Sequence, residues 1–290
     1  MSSTLMIFFT TFALTSFTNP TPYLSTGSSS PSSDKIPLIQ TIAIKEDLKV
    51  SDKRIPAHEE TRKNNSLQIP NFSAIKDVNE KKQRFLSFLV PKIRKANGEI
   101  LKNRSRLLAI QEKLSKDYRL DKNAIQYVSN LRLEYKVREK TDLRSTVDLL
   151  LTRVDIVPAS LVLAQAANES GWGTSRFARQ ANNLFGLWCY TPGCGLTPKH
   201  RDKGRKHQVA KYNSVQESVA AYLHTINSHF AYTHLREIRA TKRNEDLHLS
   251  GLILAEGLLR YSIRGIEYVR DIQKLIKANE LQKYSLPLKA

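Results

Sequence analysis

The chain has 290 residues, and its 46 Lys and Arg against 27 Asp and Glu give a formal net charge of +19. That length supports one sizeable core with a substantial extra segment, and the charge favours polyanionic surroundings: nucleic acid, anionic lipid heads or acidic envelope polymers. No zinc-finger, RNP or P-loop pattern supports nucleic acid, and the seven histidines form no HExxH pattern or ligand spacing, so neither a metal nor a cofactor is expected.

In chain order, the first element is the apolar run from Leu5 to Phe17. It has signal-peptide length, is too short to span a bilayer comfortably, lacks a preceding Lys or Arg, and is followed by no lipoprotein cysteine. A periplasmic or secreted protein is expected. Asn19 to Ser33 is dense in Pro, Ser and Gly and buries too little surface to offset chain entropy, so residues 21–76 are taken as an irregular linker after a leader over 1–20.

Helical periodicity begins near Asp77. Phe85, Phe88 and Leu89 share a face, followed by Ile93, Ile100, Leu107, Ile110 and Leu114 among many Lys and Arg. Two amphipathic helices interrupted around Pro91 and Gly98 are expected, within a basic helical region over 77–150. Its charged face reads as a solvated surface or as a strip resting on anionic polymer. Further helices are expected over 122–136 and 142–153. From Pro158, at the first helical position, a nearly continuous apolar run to Ala167 reads as a helix buried on most faces, stopped by Gly171 and Gly173.

Glu169 stands at the end of that helix. Burial, the negative end of the helix dipole and a neighbouring Trp172 all push a carboxyl pKa upward, as a general acid on a glycosidic oxygen requires. The bland alternative is a glutamate turned to solvent. Cys189 and Cys194, the two cysteines of the chain, flank a Tyr-Thr-Pro-Gly segment. A disulfide is preferred over free thiols or a metal site, and it would need an oxidising compartment. Residues 189–209 read as a loop or small β-hairpin lobe, after which helical pattern resumes at Ser214 and runs with breaks to Asn279. Residues 280–290 are taken as a tail.

Ala164-Gln-Ala-Ala-Asn-Glu169-Ser-Gly-Trp-Gly173, followed by Asn182-Asn-Leu-Phe-Gly186, resembles the signature of glycoside hydrolase family 73, the glucosaminidase domains of bacterial autolysins. Supporting blocks run from Leu187 to Pro198, Ala210 to Tyr222 and Gly257 to Val269. The resemblance implies a mainly α, lysozyme-like catalytic domain over 151–279 with a small β lobe, acting on peptidoglycan. It makes Glu169 the catalytic acid and places Asn183, Phe185 and Gly186 in the block that shapes the substrate groove. Tyr261 and Tyr268 match the late tyrosine motif, where one tyrosine lines the cleft. Ser262-Ile-Arg-Gly departs from the commoner Ala-Thr-Asp-Pro and leaves open which tyrosine takes that role.

A second carboxylate is harder to place. In the β lobe the chain offers Asp202, between Arg201 and Lys203; Glu217 instead completes a Ser214-Val-Gln-Glu capping box. Either Asp202 or the sugar's own acetamido group, held by Tyr261, would complete the reaction. Trp172, Trp188 and Tyr190 are candidate sugar-stacking residues, and Phe185 is divided between groove and core. The expected enzyme is a monomeric endo-β-N-acetylglucosaminidase whose partners are peptidoglycan strands and anionic envelope polymers. The alternatives are a lytic transglycosylase or muramidase, and a non-catalytic envelope-binding protein.

Overall fold

The computed structural model describes residues 69–137, 142–199, 201 and 204–285. The leader, most of the linker and Asp202 lie outside the described residues. Among the rest, helices α1 (Val78–Ser115), α2 (Lys122–Glu134), α3 (Leu143–Arg153), α4 (Ala159–Ser170) and α5 (Arg176–Ala181) come first. Strands β1 (Trp188–Cys189), β2 (Gly195–Leu196) and β3 (Gln208–Ala210) follow. Helices α6 (Val215–Ser228), α7 (Thr233–Asn244), α8 (Gly251–Leu254) and α9 (Ile266–Ala278) complete the series. The expectation of a mainly α fold with a small β lobe is met.

One continuous helix of 38 residues replaces the two expected around Pro91 and Gly98. Pro91 is exposed, and so is Ser87, the residue whose carbonyl its missing N–H would have served, so the break in the ladder falls on the solvent side of the helix. The opposite face holds the helix straight through that point. Phe85, Leu89, Ile93 and Leu107 are fully buried and share a single core with the residues beyond 151. That face packs on α3, α4 and α6. Asn97 ties it down further, donating to the Val157 carbonyl at 2.9 Å.

Helix α4 is the hub, enclosed by α1, α8, α9 and a closing 3-10 turn at Leu281–Ser285. Every residue from Ala159 to Ala167 is buried. Pro158 precedes this helix rather than opening it, with ψ at 136°. The closing turn falls in the stretch expected to be a tail: Leu281 is fully buried and the Ser285 hydroxyl accepts from the Ser160 N–H at 2.8 Å.

The approach to α4 is pinned by a buried charge cluster. Asp155 receives Arg243 through two bonds, at 3.0 and 2.9 Å, with Arg104 at 3.5 Å and Arg239 at 4.0 Å. Arg239, 1% exposed, also donates to the carbonyls of Thr152, Arg153, Asp155 and Ile156. Burial works to raise the Asp155 pKa, but the three guanidinium groups outweigh it and hold the carboxyl below its usual range.

The β lobe is a three-stranded antiparallel sheet in the order β1-β3-β2, with Trp188 opposite Val209 and Gly195 opposite Ala210. The expectation was a loop or small β-hairpin lobe; the third strand adds to it. The bridge Cys189–Cys194 links the end of β1 to the start of β2, the two strands that flank β3. Ser214 caps α6 as expected: it accepts from the Glu217 N–H at 3.2 Å, while Glu217 reaches back to the Asn213 N–H at 3.0 Å.

Candidate active site

Helix α4 ends at Ser170 because the next three residues all take positive φ: Gly171 at 57°, Trp172 at 57° and Gly173 at 79°. Such a run terminates a helix sharply and is strained at the non-glycine position. The Ser170 hydroxyl holds the turn, accepting from the Gly173 N–H at 2.8 Å. Gly173 has no room for a side chain, since a Cβ there would lie 2.6 Å from Phe72 Cδ2. The turn brings Trp172 edge-on to Phe85 of α1, ring centroids 5.6 Å apart, with Lys82 Nζ 5.1 Å from the indole centroid.

Asn168 and Glu169, in the last turn of α4, are half-buried where the rest of the helix is closed to solvent. The Tyr268 hydroxyl donates to Glu169 Oε1 at 2.7 Å, and Asn168 Nδ2 donates to the same oxygen at 3.3 Å. Burial raises the pKa of Glu169, while these two bonds and the charge of Arg264 pull it partly back. The net effect is upward, which keeps a proton on the carboxyl to higher pH than a free glutamate would. Arg264 is itself paired with Asp271 at 2.5 Å.

Behind the carboxyl lies a wall of tyrosines. Tyr261 stacks on Tyr268 with centroids 5.4 Å apart and planes 10° from parallel. Its hydroxyl donates to the Phe185 carbonyl at 2.8 Å. Tyr232 lies 5.9 Å from Tyr261. Burial first, and then neighbouring charge that includes Glu169, pushes the hydroxyls of Tyr222, Tyr261 and Tyr268 well above the usual phenol range. At neutral pH they are therefore protonated donors.

Residues 146–281 match the model of the glucosaminidase family, described as mannosyl-glycoprotein endo-beta-N-acetylglucosaminidase. The chain is 33% identical over 224 residues to protein bax of Escherichia coli (strain K12), covering 74% of this chain and 78% of that protein. The chain belongs to the glucosaminidase family. It is therefore a glycoside hydrolase. A solved structure, the catalytic domain of the autolysin Auto from Listeria monocytogenes, aligns with a TM-score of 0.38 at 16% identity, over 80% of this chain and 99% of that one.

Within this glucosaminidase, the residues expected at the site separate into groups. Tyr268 touches Glu169 and Tyr261 stands one ring behind it. Asn183, expected at the groove, and Phe185, divided between groove and core, are 1% exposed and turned into the core. Asn183 donates to the Leu187 and Ala210 carbonyls, both at 2.9 Å, and accepts from the Phe185 and Leu187 N–H groups, so all its capacity goes to fixing the loop that enters β1. The Phe185 ring stacks on Tyr222 at 4.1 Å. Neither side chain offers a surface to a sugar.

Trp188 and Tyr190 stand on the sheet lobe. Trp188 carries His207 stacked on its ring at 4.0 Å, and Tyr190 is 66% exposed beside the disulfide. Two residues that bear on the site, Gln165 and Tyr222, were not singled out from the sequence. Gln165 carried a legible signal: it is the one polar side chain in the apolar run from Leu161 to Ala167, and it precedes Glu169 by four residues, on the same helix face.

Proposed function

We propose that this glucosaminidase is an endo-β-N-acetylglucosaminidase that cuts peptidoglycan strands outside the cytoplasm, with Glu169 as its general acid. The observation that carries the reading is the asymmetric hold on the carboxyl. Both hydrogen-bond donors engage Oε1, so Oε2 is left to carry the acid proton toward a sugar. Protonation of the glycosidic oxygen lets the C1–O bond break, and water adds to C1 to complete hydrolysis.

The second group is Asp202 or the acetamido oxygen of the sugar at the cleaved bond. With the Tyr261 hydroxyl engaged by the Phe185 carbonyl, the tyrosine pair supports the acid rather than the acetamido group. The Cys189–Cys194 bridge supports an oxidising, extracytoplasmic setting. No helix among the described residues is long and apolar enough to cross a membrane. Trp172 and Trp188, half-buried, and Tyr190, exposed, are the proposed sugar contacts. The strongly positive chain suits anionic glycan strands and envelope polymers as partners of a monomer.

Digestion of purified peptidoglycan, followed by borohydride reduction and mass spectrometry, tests the linkage. Chains ending in reduced N-acetylglucosamine are expected. Reduced or anhydro N-acetylmuramic acid ends would place the enzyme among muramidases or lytic transglycosylases instead.

A further inference from the structure

Glu169 does not stand alone on α4. One turn earlier, Gln165 is fully buried, and so are its two partners, Tyr222 from α6 and Tyr268 from α9. The Tyr222 hydroxyl donates to Gln165 Oε1 through a short bond, and Gln165 Nε2 donates to the Tyr268 oxygen at 3.0 Å. Tyr268 then donates to Glu169 Oε1 at 2.7 Å. A hydroxyl has a single proton to give. With the amide N–H seated on its oxygen, Tyr268 directs that proton to the carboxylate. Tyr222 favours this orientation of the amide, because reversing Gln165 would take the Oε1 acceptor away from the buried Tyr222 proton.

The aromatic contacts close this chain into a ring. Tyr222 is stacked by Phe185, the Phe185 carbonyl accepts from Tyr261, and Tyr261 is stacked on Tyr268. The Asn182–Gly186 block thus meets the acid from behind, through Tyr222 and Tyr261.

We propose that Gln165, oriented by Tyr222, is a positioning residue that sets the direction of the Tyr268–Glu169 hydrogen bond and so tunes the acid and keeps Oε2 free for the substrate. This rests on the reading of Glu169 as the acid. The groups facing the Glu169 carboxyl are Tyr268, Asn168 and Arg264, with Tyr222, Tyr232 and Tyr261 behind them. Of these, Tyr268 is the donor whose proton Gln165 controls.

The sign of the effect is determined. A bond donated to the ionised carboxylate favours ionisation, so loosening it moves the carboxyl midpoint upward. The test is a ¹³C NMR titration of the Glu169 side-chain carboxyl in the full chain, in parallel with the pH dependence of kcat/KM. The variants are Gln165→Leu/Tyr222→Phe, which removes the amide together with the hydroxyl that orients it, Tyr268→Phe, and the triple combination.

The expected result is an upward move of the midpoint by about one pH unit in the double variant, the order expected for weakening one bond to a charged group. The alkaline limb of kcat/KM should follow it. Tyr268→Phe should move the midpoint the same way, and the triple variant no further than Tyr268→Phe alone. A double variant that keeps the native spectrum and the wild-type midpoint, while Tyr268→Phe shifts it, overturns the proposal. So does a triple variant in which the two shifts add. If the variant does not hold its fold, Gln165→Met, which keeps the approximate shape and adds no charge, is titrated in its place; an unmoved Glu169 midpoint is again the overturning result. A midpoint that moves while the alkaline limb stays in place leaves the positioning intact and removes Glu169 as the acid.

Discussion

Tyr268 and Glu169 are 99 residues apart in the chain, yet the tyrosine hydroxyl rests 2.7 Å from the carboxylate oxygen. Helix α9 carries one and the last turn of α4 carries the other, and both helices are held by the same core. The relationship couples the fold to the chemistry. Burial makes the carboxyl a better acid-form reservoir, and the tyrosine limits how far that goes.

Removing the Tyr268 hydroxyl therefore has two consequences. Tyr268→Phe should lower kcat/KM by about 10- to 100-fold, a part of the ~10²–10⁴ that general acid catalysis contributes. It should also move the alkaline limb of the pH profile upward, because the ionised carboxylate loses a donor. Steady-state kinetics across pH on a soluble muropeptide checks both.

Glu169 should cost stability as well as supply chemistry. The fold raises its pKa, so the folded state keeps the proton to higher pH than the unfolded chain, whose glutamate titrates near ~4.3. Ionised Glu169 is then unfavourable in the fold above its folded pKa, and the penalty disappears as pH falls toward the unfolded value. Glu169→Gln should melt a few degrees higher than wild type at pH 7 and lose that advantage at pH 4, measured by calorimetry.

The Asp155 cluster titrates with the opposite sign. Its folded pKa is depressed, so its contribution to stability is present above the unfolded value near ~3.9 and is lost as pH falls through the folded pKa. Asp155→Ala leaves Arg104, Arg239 and Arg243 without their counter-ion in a buried setting and should cost about 3–5 kcal/mol in urea unfolding at pH 7. Between pH 5 and 3 the wild type should lose stability toward the variant.

Much of this was legible in the sequence, because it depended on local pattern. The apolar run from Leu161 to Ala167 identified the buried helix, the two glycines marked its end, and the spacing of Ser214 and Glu217 revealed the capping box of α6. What was not legible depended on which way a side chain turns in three dimensions. Pro91 reads as a helix breaker, but it faces solvent and the helix runs through it. Asn183 sits in the motif that follows Glu169, but its four hydrogen bonds to the backbone turn it inward. Tyr268, the remote partner of Glu169, lies on a helix 99 residues further on; the resemblance pointed to it, but no periodicity encodes the contact.

Gly173 is a position where local backbone and remote packing meet. Its φ of 79° is unfavourable for any L side chain, and a Cβ would press on Phe72 at 2.6 Å. Gly173→Ala should destabilise the fold by about 1–3 kcal/mol. It should also disturb Trp172 against Phe85, visible as a change in tryptophan fluorescence with a matching loss of turnover.

The most direct measurement is release of soluble fragments from purified sacculi by wild type and by Glu169→Gln, each confirmed folded. The substituted amide keeps an acceptor for Tyr268 and fills the same space, so the change removes the acid proton and little else. The account predicts that wild type releases fragments and that Glu169→Gln releases them at least ~10²-fold more slowly, with binding to sacculi unchanged. Release by Glu169→Gln at the wild-type rate would contradict it.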